Sequence, residues 1–458
     1  MKFREAFYCR ANMNEVTHTT LNPHGPGAVR IHLIPPKFSF KSQAPSVAIV
    51  NGSDIIPLNL SWAILLNCFI DEVNKFDGKE IPNIELKGII SRVLRKMKTV
   101  YPQTSNEAFK EDLWKIIHVL CDVAYGNPIS EDIGYLTIGE YAPHMRAPHR
   151  IDLMVSSMTK NRKWHCNQKC LHCYAAGQPL SEVPELSTEQ WKKIIDKCKK
   201  IGIPQITFTG GEPTLRKDLP ELIRYSQWFV TRVNTNGVKL TKDYAEKLFD
   251  ANLDSIQITY YSSNAKEHNK LVGANNFEKT TEGIKNALEA GLNVSINTPL
   301  CKINSNYVET LKYLHSLGIT YVSCSGLILT GNACNDNSKA TQLSSDELYQ
   351  ILVDATKYCS ENHMQISFTS PGWVSEEKLS DLGLTIPACG ACLSNMAISP
   401  DGNVIPCQSW LFEKPLGNIL ELSWNDIWES EQCKKIRKNS AKMNYTCPLR
   451  KKGENKND

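Results

Sequence analysis

The sequence predicts an α/β protein whose centre is a partial (β/α)6 TIM barrel, with a smaller domain on each side of it along the chain. Two observations support this fold class. From about residue 150, short apolar runs alternate with amphipathic stretches, and the alternation repeats six times. Such alternation is typical of a parallel sheet with right-handed crossovers. Glycine-rich and polar turns also follow the predicted strands, at the end of a barrel where ligands bind.

Composition limits the class of protein. The chain has 458 residues, of which 22% are charged and 41% hydrophobic, and its net charge is +4. This length suits two or three domains, and the small net charge gives no footprint for nucleic acid or an anionic membrane. The sequence has no apolar run of about 18 residues, and residues 1–7 lack the apolar core of a signal peptide. We therefore expect a cytoplasmic protein without nucleic-acid or membrane partners.

The amino-terminal part is predicted to contain an irregular arm and then a compact domain. Residues 1–44 carry few periodic signals, with one strand expected near 28–34. The apolar runs 47–50 and 55–58 flank Asn51-Gly52, which is a strong hairpin signal. Helices are predicted from Ser61, over 84–97 and over 109–124.

A hairpin followed by three helices is a winged-helix arrangement, which we assign to residues 45–130. The run 55–65 resembles the strand-to-helix passage of the RiPP recognition element, a relative of the pyrroloquinoline-quinone peptide chaperone. That resemblance implies binding of a precursor peptide as an added strand at the sheet edge. A purely structural or dimerising winged helix and a DNA reader are the alternatives. The last helix is acidic and apolar, which disfavours the DNA reader.

The barrel is predicted to span residues 150–345. Its strands are expected at 151–155, 206–209, 230–233, 255–260, 294–298 and 320–325. The intervening helices are expected at 188–200, 219–228, 241–250, 277–290 and 307–317. A connecting helix and strand follow over 346–385, then a cysteine-rich domain over 386–450 and a charged tail over 451–458.

The loop after the first barrel strand contains Cys166, Cys170 and Cys173, spaced x3 then x2. Clustered thiolates select zinc or an iron–sulfur cluster rather than hard cations. A closed zinc site would need a fourth ligand at similar spacing, and the sequence offers none nearby. Three cysteines on a cubane of four irons would leave one iron open. A zinc knuckle that lacks a ligand and three unrelated core cysteines are the alternatives.

With the flanking Leu171-His172 and Tyr174, this spacing resembles the signature of the radical S-adenosylmethionine (SAM) superfamily. The resemblance implies a [4Fe-4S] cluster on Cys166, Cys170 and Cys173. It also implies that SAM chelates the open iron and is cleaved reductively to a 5′-deoxyadenosyl radical.

Further motifs resemble the parts of that superfamily that contact SAM. Gly210-Gly211-Glu212-Pro213 follows the second strand, and Thr235-Asn236-Gly237 follows the third. The positions for which the resemblance implies a cofactor contact are His172, Gly210, Gly211, Glu212, Pro213, Thr235, Asn236, Gln257, Thr259, Lys270, Asn297 and Leu327. Two departures stand out: Tyr261-Ser262 replaces the usual Asp-Gly, and Lys270 lies in a segment that usually carries an Arg.

The second cysteine group resembles the opening of the SPASM domain, which holds auxiliary [4Fe-4S] clusters. Its pattern is Cys392-x9-Gly402-x4-Cys407, preceded by Cys389. A complete SPASM domain ends in a denser set of cysteines, whereas this chain offers only Cys433 and Cys447. The resemblance therefore implies the shorter Twitch arrangement, with one auxiliary cluster. Its expected ligands are Cys389, Cys392, Cys407 and Cys447. A four-cysteine zinc site is the alternative.

The remaining cysteines of the 16 are interpreted mainly as packing residues, because disulfides are rare in cytoplasmic proteins. This group comprises Cys9, Cys68, Cys121, Cys198, Cys359 and Cys433. Cys301, Cys324 and Cys334 lie near strand ends, where an epimerase would need a thiol hydrogen donor, although packing is the simpler interpretation.

These resemblances predict a radical SAM peptide maturase that forms a crosslink, a thioether or an epimer in a ribosomally made precursor peptide. An external electron donor such as flavodoxin or ferredoxin and an anaerobic host are implied. The sequence does not identify a catalytic residue. An enzyme acting on a protein side chain or a small molecule is the first alternative, and a non-catalytic iron–sulfur or zinc scaffold is the second.

Overall fold

The computed structural model describes residues 3–21, 29–36, 45–52, 54–76, 81–129, 131, 133, 136–369, 374–385, 387–442 and 447–451. The chain forms two compact units. The first comprises residues 1–149 and 198–204, and the second comprises residues 150–197 and 205–458. None of the helices in these described ranges is both long and apolar enough to cross a bilayer.

The first unit contains a four-stranded antiparallel sheet in the order β1-β2-β3-β4, together with its helices. In chain order the elements are α1 (Phe3–Asn12), β1 (Thr17–Leu21), β2 (Val29–Ile34), β3 (Ser46–Val50), β4 (Asp54–Leu58), α2 (Leu60–Val73), α3 (Asn83–Val100), α4 (Asn106–Tyr125) and α5 (Ile138–Tyr141). The predicted hairpin is present, and Asn51 and Gly52 both have positive φ, at 48° and 76°.

The strand expected near residues 28–34 is present as β2, but residues 3–12 and 17–21 of the predicted irregular arm also form regular structure. Residues 3–12 are helical, and β1 pairs with β2 to extend the sheet. Tyr8, Cys9 and Met13 are buried in the apolar core of this unit. Burial in that core explains the order of this segment, whose own sequence carries little periodicity. Residues 22–28 and 37–44 of the predicted arm lie outside the described residues.

The second unit is built on a ten-stranded sheet in the order β13-β12-β11-β10-β9-β8-β5-β14-β15-β16, with a separate hairpin, β6-β7. Its strands are β5 (Arg150–Ser156), β6 (Thr159–Lys160), β7 (Lys163–Trp164), β8 (Gln205–Gly210), β9 (Val230–Thr235), β10 (Ser255–Thr259), β11 (Val294–Pro299), β12 (Tyr321–Ser325), β13 (Gln365–Phe368), β14 (Asn395–Ile398), β15 (Asn403–Ile405) and β16 (Gly417–Asn418).

The helices that accompany this sheet follow its strands in sequence. They are α6 (Thr188–Ile201), α7 (Leu219–Tyr225), α8 (Lys242–Asp250), α9 (Ala265–Val272), α10 (Phe277–Glu289), α11 (Tyr307–Ser316), α12 (Asp336–Lys339), α13 (Ser345–Glu361), α14 (Glu376–Asp381), α15 (Trp424–Trp428), α16 (Glu431–Ser440) and α17 (Pro448–Lys451). The predicted α/β class and the six strand–helix units are confirmed, while α9 was not predicted.

Two strands that were not assigned to the barrel extend its parallel sheet. β13 pairs in parallel with β12, and β14 pairs in parallel with β5 at the other side. An open six-stranded sheet has two edges with unpaired backbone groups, and these strands cover them. The predicted boundaries at 345 and 386 therefore cut through one continuous sheet.

The barrel strands place polar side chains on one face and apolar side chains on the other. In β10, Ile256 and Ile258 are fully buried, whereas Gln257 and Thr259 between them are partly exposed. Because successive side chains of a strand point to opposite faces, the polar residues line the barrel interior. This alternation gives the barrel a polar interior and an apolar outer face under its helices.

His268 makes the second unit sensitive to acid. The imidazole is fully buried, and its ring centre lies 4.8 Å from that of Tyr260 and 5.7 Å from that of Phe277. Burial lowers its pKa from 6.5 to about 4. The unfolded state therefore binds more protons between these two values, and stability must fall as the pH drops through this window.

We predict that His268→Gln reduces the loss of unfolding free energy between pH 7 and pH 5 by about 2 kcal/mol relative to the parent protein. Urea titrations at both pH values measure this difference. An identical pH dependence in the variant would show that His268 is already protonated in the folded state or is not buried.

Candidate active site

The loop that carries Cys166, Cys170 and Cys173, here called the cysteine loop, is held on one side by the segment at the end of α9. Lys169 and Leu171 donate their backbone N–H groups to the carbonyl oxygens of Val272 and Leu271, at 3.0 and 2.8 Å. Gly273 has φ +61°, and a Cβ atom there would lie 2.2 Å from the carbonyl oxygen of Lys169. Only glycine allows this approach and this backbone conformation together.

The other side of the cysteine loop is held by the segment after β12. The Asn332 backbone N–H donates to the carbonyl of Cys173 at 2.9 Å, and its side-chain amide donates to that of Cys170 at 3.1 Å. The Thr330 hydroxyl donates to the carbonyl of Tyr174 at 2.9 Å. The loop is thus fixed through its backbone, and its thiols are not needed for that purpose.

The three cysteines of this loop are half-buried. Burial raises the pKa of Cys166 to about 12 and raises the pKa values of Cys170 and Cys173. The charge of Cys173 also contributes to raising the pKa values of Cys166 and Cys170. In the described chain, no group of three or more His, Cys, Asp or Glu side chains is arranged to hold a single metal ion.

Glu212 connects the glycine-rich turn after β8 with the turn after β9. Its Oε1 atom accepts from the Thr214 and Thr235 hydroxyls, each at 2.6 Å, and from the Thr214 backbone N–H at 3.0 Å. Its Oε2 atom accepts from the Asn236 backbone N–H at 2.8 Å. The carboxylate is 1% exposed, and burial raises its pKa. Most of its acceptor capacity is therefore used within the protein, with room for one further donor on Oε2.

The two glycines of this turn allow the backbone of β8 to approach the end of β5. Gly210 has φ +135°, and a Cβ atom there would lie 2.2 Å from the Ser156 carbonyl oxygen. The Gly211 backbone N–H donates to the same oxygen at 2.7 Å. The Gly211 carbonyl oxygen lies 3.5 Å from the Cys166 sulfur. The turn is thus placed directly beside the first cysteine of the loop, and Pro213 follows as a buried residue.

Asn236 links the turn after β9 to the cysteine loop. Its side-chain amide donates at 2.7 Å to Oδ1 of Asn167, the residue that follows Cys166 in the chain. The Asn167 amide nitrogen is buried without a hydrogen-bond partner in the described structure. An added group with acceptor atoms would satisfy this nitrogen. Sequence reasoning did not select Asn167, although its position next to a cysteine of the motif was a usable signal.

The polar residues predicted further along the barrel are brought together by the sheet. The Ser323 hydroxyl donates to Asn297 Oδ1 at 3.1 Å, and the Gln257 amide donates to the Ser323 oxygen at 3.4 Å. Thr259 lies two residues beyond Gln257, towards the carboxyl end of β10. Leu327 is buried in an apolar cluster with the cysteine-loop residues Cys170 and Leu171 packed against it.

His172 and Lys270, two of the residues predicted to contact SAM, are less favourably placed for that contact. The His172 ring is 7% exposed, and its Nε2 atom is 2.7 Å from the Thr341 hydroxyl. This contact ties the cysteine loop to the segment after α12. Lys270 is exposed on α9 and makes no ion pair in the described structure. The prediction that these residues contact SAM remains a prediction.

Tyr261 is a site residue that the sequence analysis recorded only as a departure. Its side chain is 4% exposed and lies in the apolar cluster against which Cys170 packs. Burial raises the pKa of this phenol well above its usual value. The replacement of Asp by Tyr therefore puts a neutral hydrogen-bonding group against a cysteine of the loop.

The second cysteine group is assembled by the hairpin β14-β15 and helix α16. Hydrogen bonding between the Cys389 and Cys447 thiols lowers the pKa of Cys389 and raises that of Cys447. The Cys392 backbone N–H donates to the Pro406 carbonyl at 3.1 Å, which places Cys392 next to the end of the hairpin. Cys407 senses the charge of Cys389. The four predicted ligands are thus neighbours.

Cys433 is fully buried, as the packing interpretation predicts, and its thiol also neighbours this group. Its thiol forms a hydrogen bond with that of Cys392, and this bond lowers the pKa of Cys433. The Arg437 guanidinium donates to the Cys433 sulfur at 3.4 Å and lies 3.8 Å above the Trp428 ring. The sequence did not predict the contact between Cys433 and Cys392. Helical spacing shows that Cys433 lies on a buried face, but it does not show which residues pack against that face.

The cysteines near the strand ends differ in exposure. Cys301 and Cys324 are fully buried, as expected of packing residues. Cys334 is exposed, and its thiol donates to the Leu329 carbonyl oxygen at 2.9 Å.

A parallel α/β barrel with a sulfur-rich loop at the carboxyl ends of its strands, and a second thiol group beside it, defines a class of enzyme that depends on sulfur-ligated clusters. Residues 165–314 match the family model of the radical SAM superfamily, and residues 389–449 match that of the SPASM iron–sulfur cluster-binding domain. Residues 165–314 are thus a radical SAM domain and residues 389–449 a SPASM domain, and these domains imply a [4Fe-4S] cluster, SAM and auxiliary iron–sulfur binding.

Known relatives carry different activities. The chain is 28% identical over 285 residues to an AdoMet-dependent heme synthase of Oleidesulfovibrio alaskensis, covering 58% of this chain and 72% of the relative. It is 27% identical to a PqqA peptide cyclase of Granulibacter bethesdensis, covering 57% and 71%. The structure of Streptococcus suis SuiB bound to precursor peptide SuiA superposes with a TM-score of 0.57 at 15% identity, covering 86% and 87%. At that identity the last comparison establishes a shared fold.

Gly331 tests how tightly the cysteine loop is held. This residue has φ +58°, and a Cβ atom there would lie 2.5 Å from the carbonyl oxygens of Cys173 and Tyr174. Gly383 has a similar φ of +67° with nothing within 4 Å of the added atom. We predict that Gly383→Ala costs about 1 kcal/mol of stability, and that Gly331→Ala costs about 1–3 kcal/mol more because the loop must move. Thermal unfolding and iron content after reconstitution measure both effects. Equal losses in the two variants would contradict this account.

The auxiliary cysteines allow a second test. If Cys389, Cys392, Cys407 and Cys447 are the ligands, Cys407→Ala and Cys447→Ala should each lose about four irons per chain, whereas Cys433→Ala should keep them. Iron and sulfide analysis of anaerobically reconstituted protein measures this. Loss of iron in Cys433→Ala but not in Cys447→Ala would assign the fourth position to Cys433.

Proposed function

We propose that this chain is a radical SAM peptide maturase that modifies a residue of a ribosomally made precursor peptide. The observation that carries the enzymatic part is the convergence of three loops on Cys166. The loop itself, the turn at Gly211 and the turn at Asn236 meet within hydrogen-bond distances. The similarity to a PqqA peptide cyclase supports a peptide as the substrate.

The residues of the site fit the cofactors that the superfamily implies. Cys166, Cys170 and Cys173 would hold the cluster, since soft thiolates are its usual ligands. When bound, the cluster and SAM supply a one-electron cleavage that yields methionine and a 5′-deoxyadenosyl radical. The Gly210-Gly211 backbone would lie along SAM, and the remaining acceptor site on Glu212 Oε2 would receive its ammonium group.

The surrounding residues would keep water out of this reaction. Tyr261, Leu327 and Leu329 are buried in one apolar cluster against the cysteine loop. Met154, Met158 and Leu411 form a second cluster, with Cys166 and Cys173 packed against it. Exclusion of solvent protects a reactive radical from side reactions. An external one-electron donor, such as a flavodoxin or a ferredoxin, would be needed for each turnover.

The auxiliary group would hold a cluster with four cysteine ligands. A fully liganded cluster has no open iron for a substrate, so electron transfer is the role that its ligand set favours. Cys389, Cys392, Cys407 and Cys447 would hold this cluster, and the chemistry it would supply is one-electron transfer. Arg437 would stabilise the reduced, more negative state of this auxiliary cluster, because its positive guanidinium is 9% exposed and lies against Cys433.

The first unit would bind the leader part of the precursor. Its sheet ends in the edge strands β1 and β4, each paired on one side only. A free edge can accept an extended peptide as a further strand. β4 exposes Asp54 and Ile55, and Ile55 is 38% exposed. Its Pro57 is typical of an edge strand, since proline cannot donate to a second partner strand. We assign the peptide to β4 because it forms the predicted winged-helix hairpin.

A second function has support from the comparison with a heme synthase, which is as similar in sequence as the peptide cyclase. In that case the barrel would act on a small molecule, and the first unit would have another role. A test of peptide binding to the first unit distinguishes these two functions, because only the peptide maturase requires such binding.

The catalytic proposal predicts that the reconstituted protein forms 5′-deoxyadenosine from SAM under dithionite, and that Cys170→Ala abolishes this. Chromatography of the anaerobic reaction measures the product. Cys359→Ala is the control, because it removes a buried thiol of α13 that lies outside both cysteine groups. Absence of the nucleoside from well-loaded parent protein would overturn the enzymatic proposal.

The peptide proposal predicts that a synthetic copy of a short precursor encoded beside the gene binds the full chain, and that Ile55→Pro weakens binding about tenfold or more by removing an edge N–H. Fluorescence anisotropy of the labelled peptide measures the affinity. Thr20→Pro, which removes an outward-facing N–H of the other edge strand, is the matched control and should bind as the parent does. If Thr20→Pro alone weakens binding, β1 is the binding edge.

A further inference from the structure

A cavity lies at the amino ends of strands β9 to β13, at the end of the sheet opposite the loop that carries Cys166, Cys170 and Cys173. Its volume is about 370 Å³, and its lining includes Arg232, Ser255, Ser295, Tyr321, His363 and Gln365. The lining contains guanidinium, hydroxyl, imidazole and amide groups, and none of its residues carries a carboxylate. This volume lies within the range of small-molecule sites in proteins, about 300–1,000 Å³.

The cavity is separate from the proposed SAM site. Gln257, Asn297 and Ser323 are hydrogen-bonded to one another across three adjacent strands. Each lies two residues further along its strand than the cavity residues Ser255, Ser295 and Tyr321. This layer of side chains therefore lies between the cavity and the carboxyl ends of the strands.

The guanidinium of Arg232 is only partly neutralised by the protein. Its Nε atom donates to the Ser255 hydroxyl at 3.2 Å. Arg232 forms no ion pair with a described carboxylate; Asp152 attracts it from a greater distance and is itself paired with Arg150 at 3.0 Å. Two arginines thus share one buried carboxylate at this end of the barrel. Burial, and then the charge of Arg150, lower the pKa of Arg232.

A partly buried cation without a paired anion is costly, and the fork of an arginine matches the geometry of an oxyanion. We propose that this cavity is a binding site for a small oxyanion, either phosphate or the carboxylates of a small organic acid. Arg232 provides the charge, and the Ser255, Ser295 and Tyr321 hydroxyls and the Gln365 amide provide neutral donors. This site does not depend on the proposed function.

Calorimetric titration of the full chain with phosphate and, separately, with succinate tests the proposal, at constant ionic strength set with chloride. We expect saturable binding of at least one of them, with the stronger one identifying the source of the oxyanion. Arg232→Met should weaken binding about 10- to 100-fold, as expected for loss of charge-assisted hydrogen bonds. Arg224→Met, an exposed arginine on α7, is the matched control and should bind as the parent does.

A second variant keeps the test informative if Arg232→Met folds poorly. Gln365→Glu places a carboxylate on the lining of the same cavity, so it should raise the melting temperature without added anion and remove the response to phosphate or succinate. Absence of saturable binding of both anions to the parent protein would overturn the proposal. An unchanged response in Arg232→Met or Gln365→Glu would do the same.

Discussion

One buried carboxylate organises the active site. Glu212 accepts hydrogen bonds from its own turn and from Thr235 and Asn236 on the next loop, and Asn236 continues the connection to Asn167 beside Cys166. A buried carboxylate is costly unless donors surround it. The three loops must therefore keep their arrangement for Glu212 to be satisfied, and the position of the first cysteine depends on that arrangement.

The sheet connects the two cysteine groups. β5 leads into the first cysteine loop, and β14, which follows Cys392, pairs with β5 in parallel. Apolar residues from both segments, such as Met154 and Ala397, share one buried cluster with Cys166 and Cys173 packed against it. A cluster held by the second group would thus lie in the same compact unit as the first. The same strand, β14, covers an open edge of the sheet and joins the second cysteine group to the sheet that carries the first.

The barrel uses its two ends differently. At the carboxyl ends, glycines let the backbone segments around the cysteine loop approach one another closely. At the amino ends, an arginine without its own carboxylate faces a polar cavity. Polar side chains line the interior between these ends. Successive side chains of each strand point to opposite faces, and the apolar ones pack under the helices on the outer face. The two proposed sites follow from one alternation pattern.

The sequence by itself determined the strand–helix alternation, the hairpin at Asn51-Gly52 and the spacing of both cysteine groups, because these depend on local periodicity and on residue type. It did not determine the helix and strand in residues 3–21, which gain their order from burial in the first core. Nor could it show that Tyr261 contacts Cys170, that Cys433 joins the auxiliary thiols, or that β13 and β14 complete the sheet. These contacts join segments far apart in the chain, so only the tertiary structure decided them.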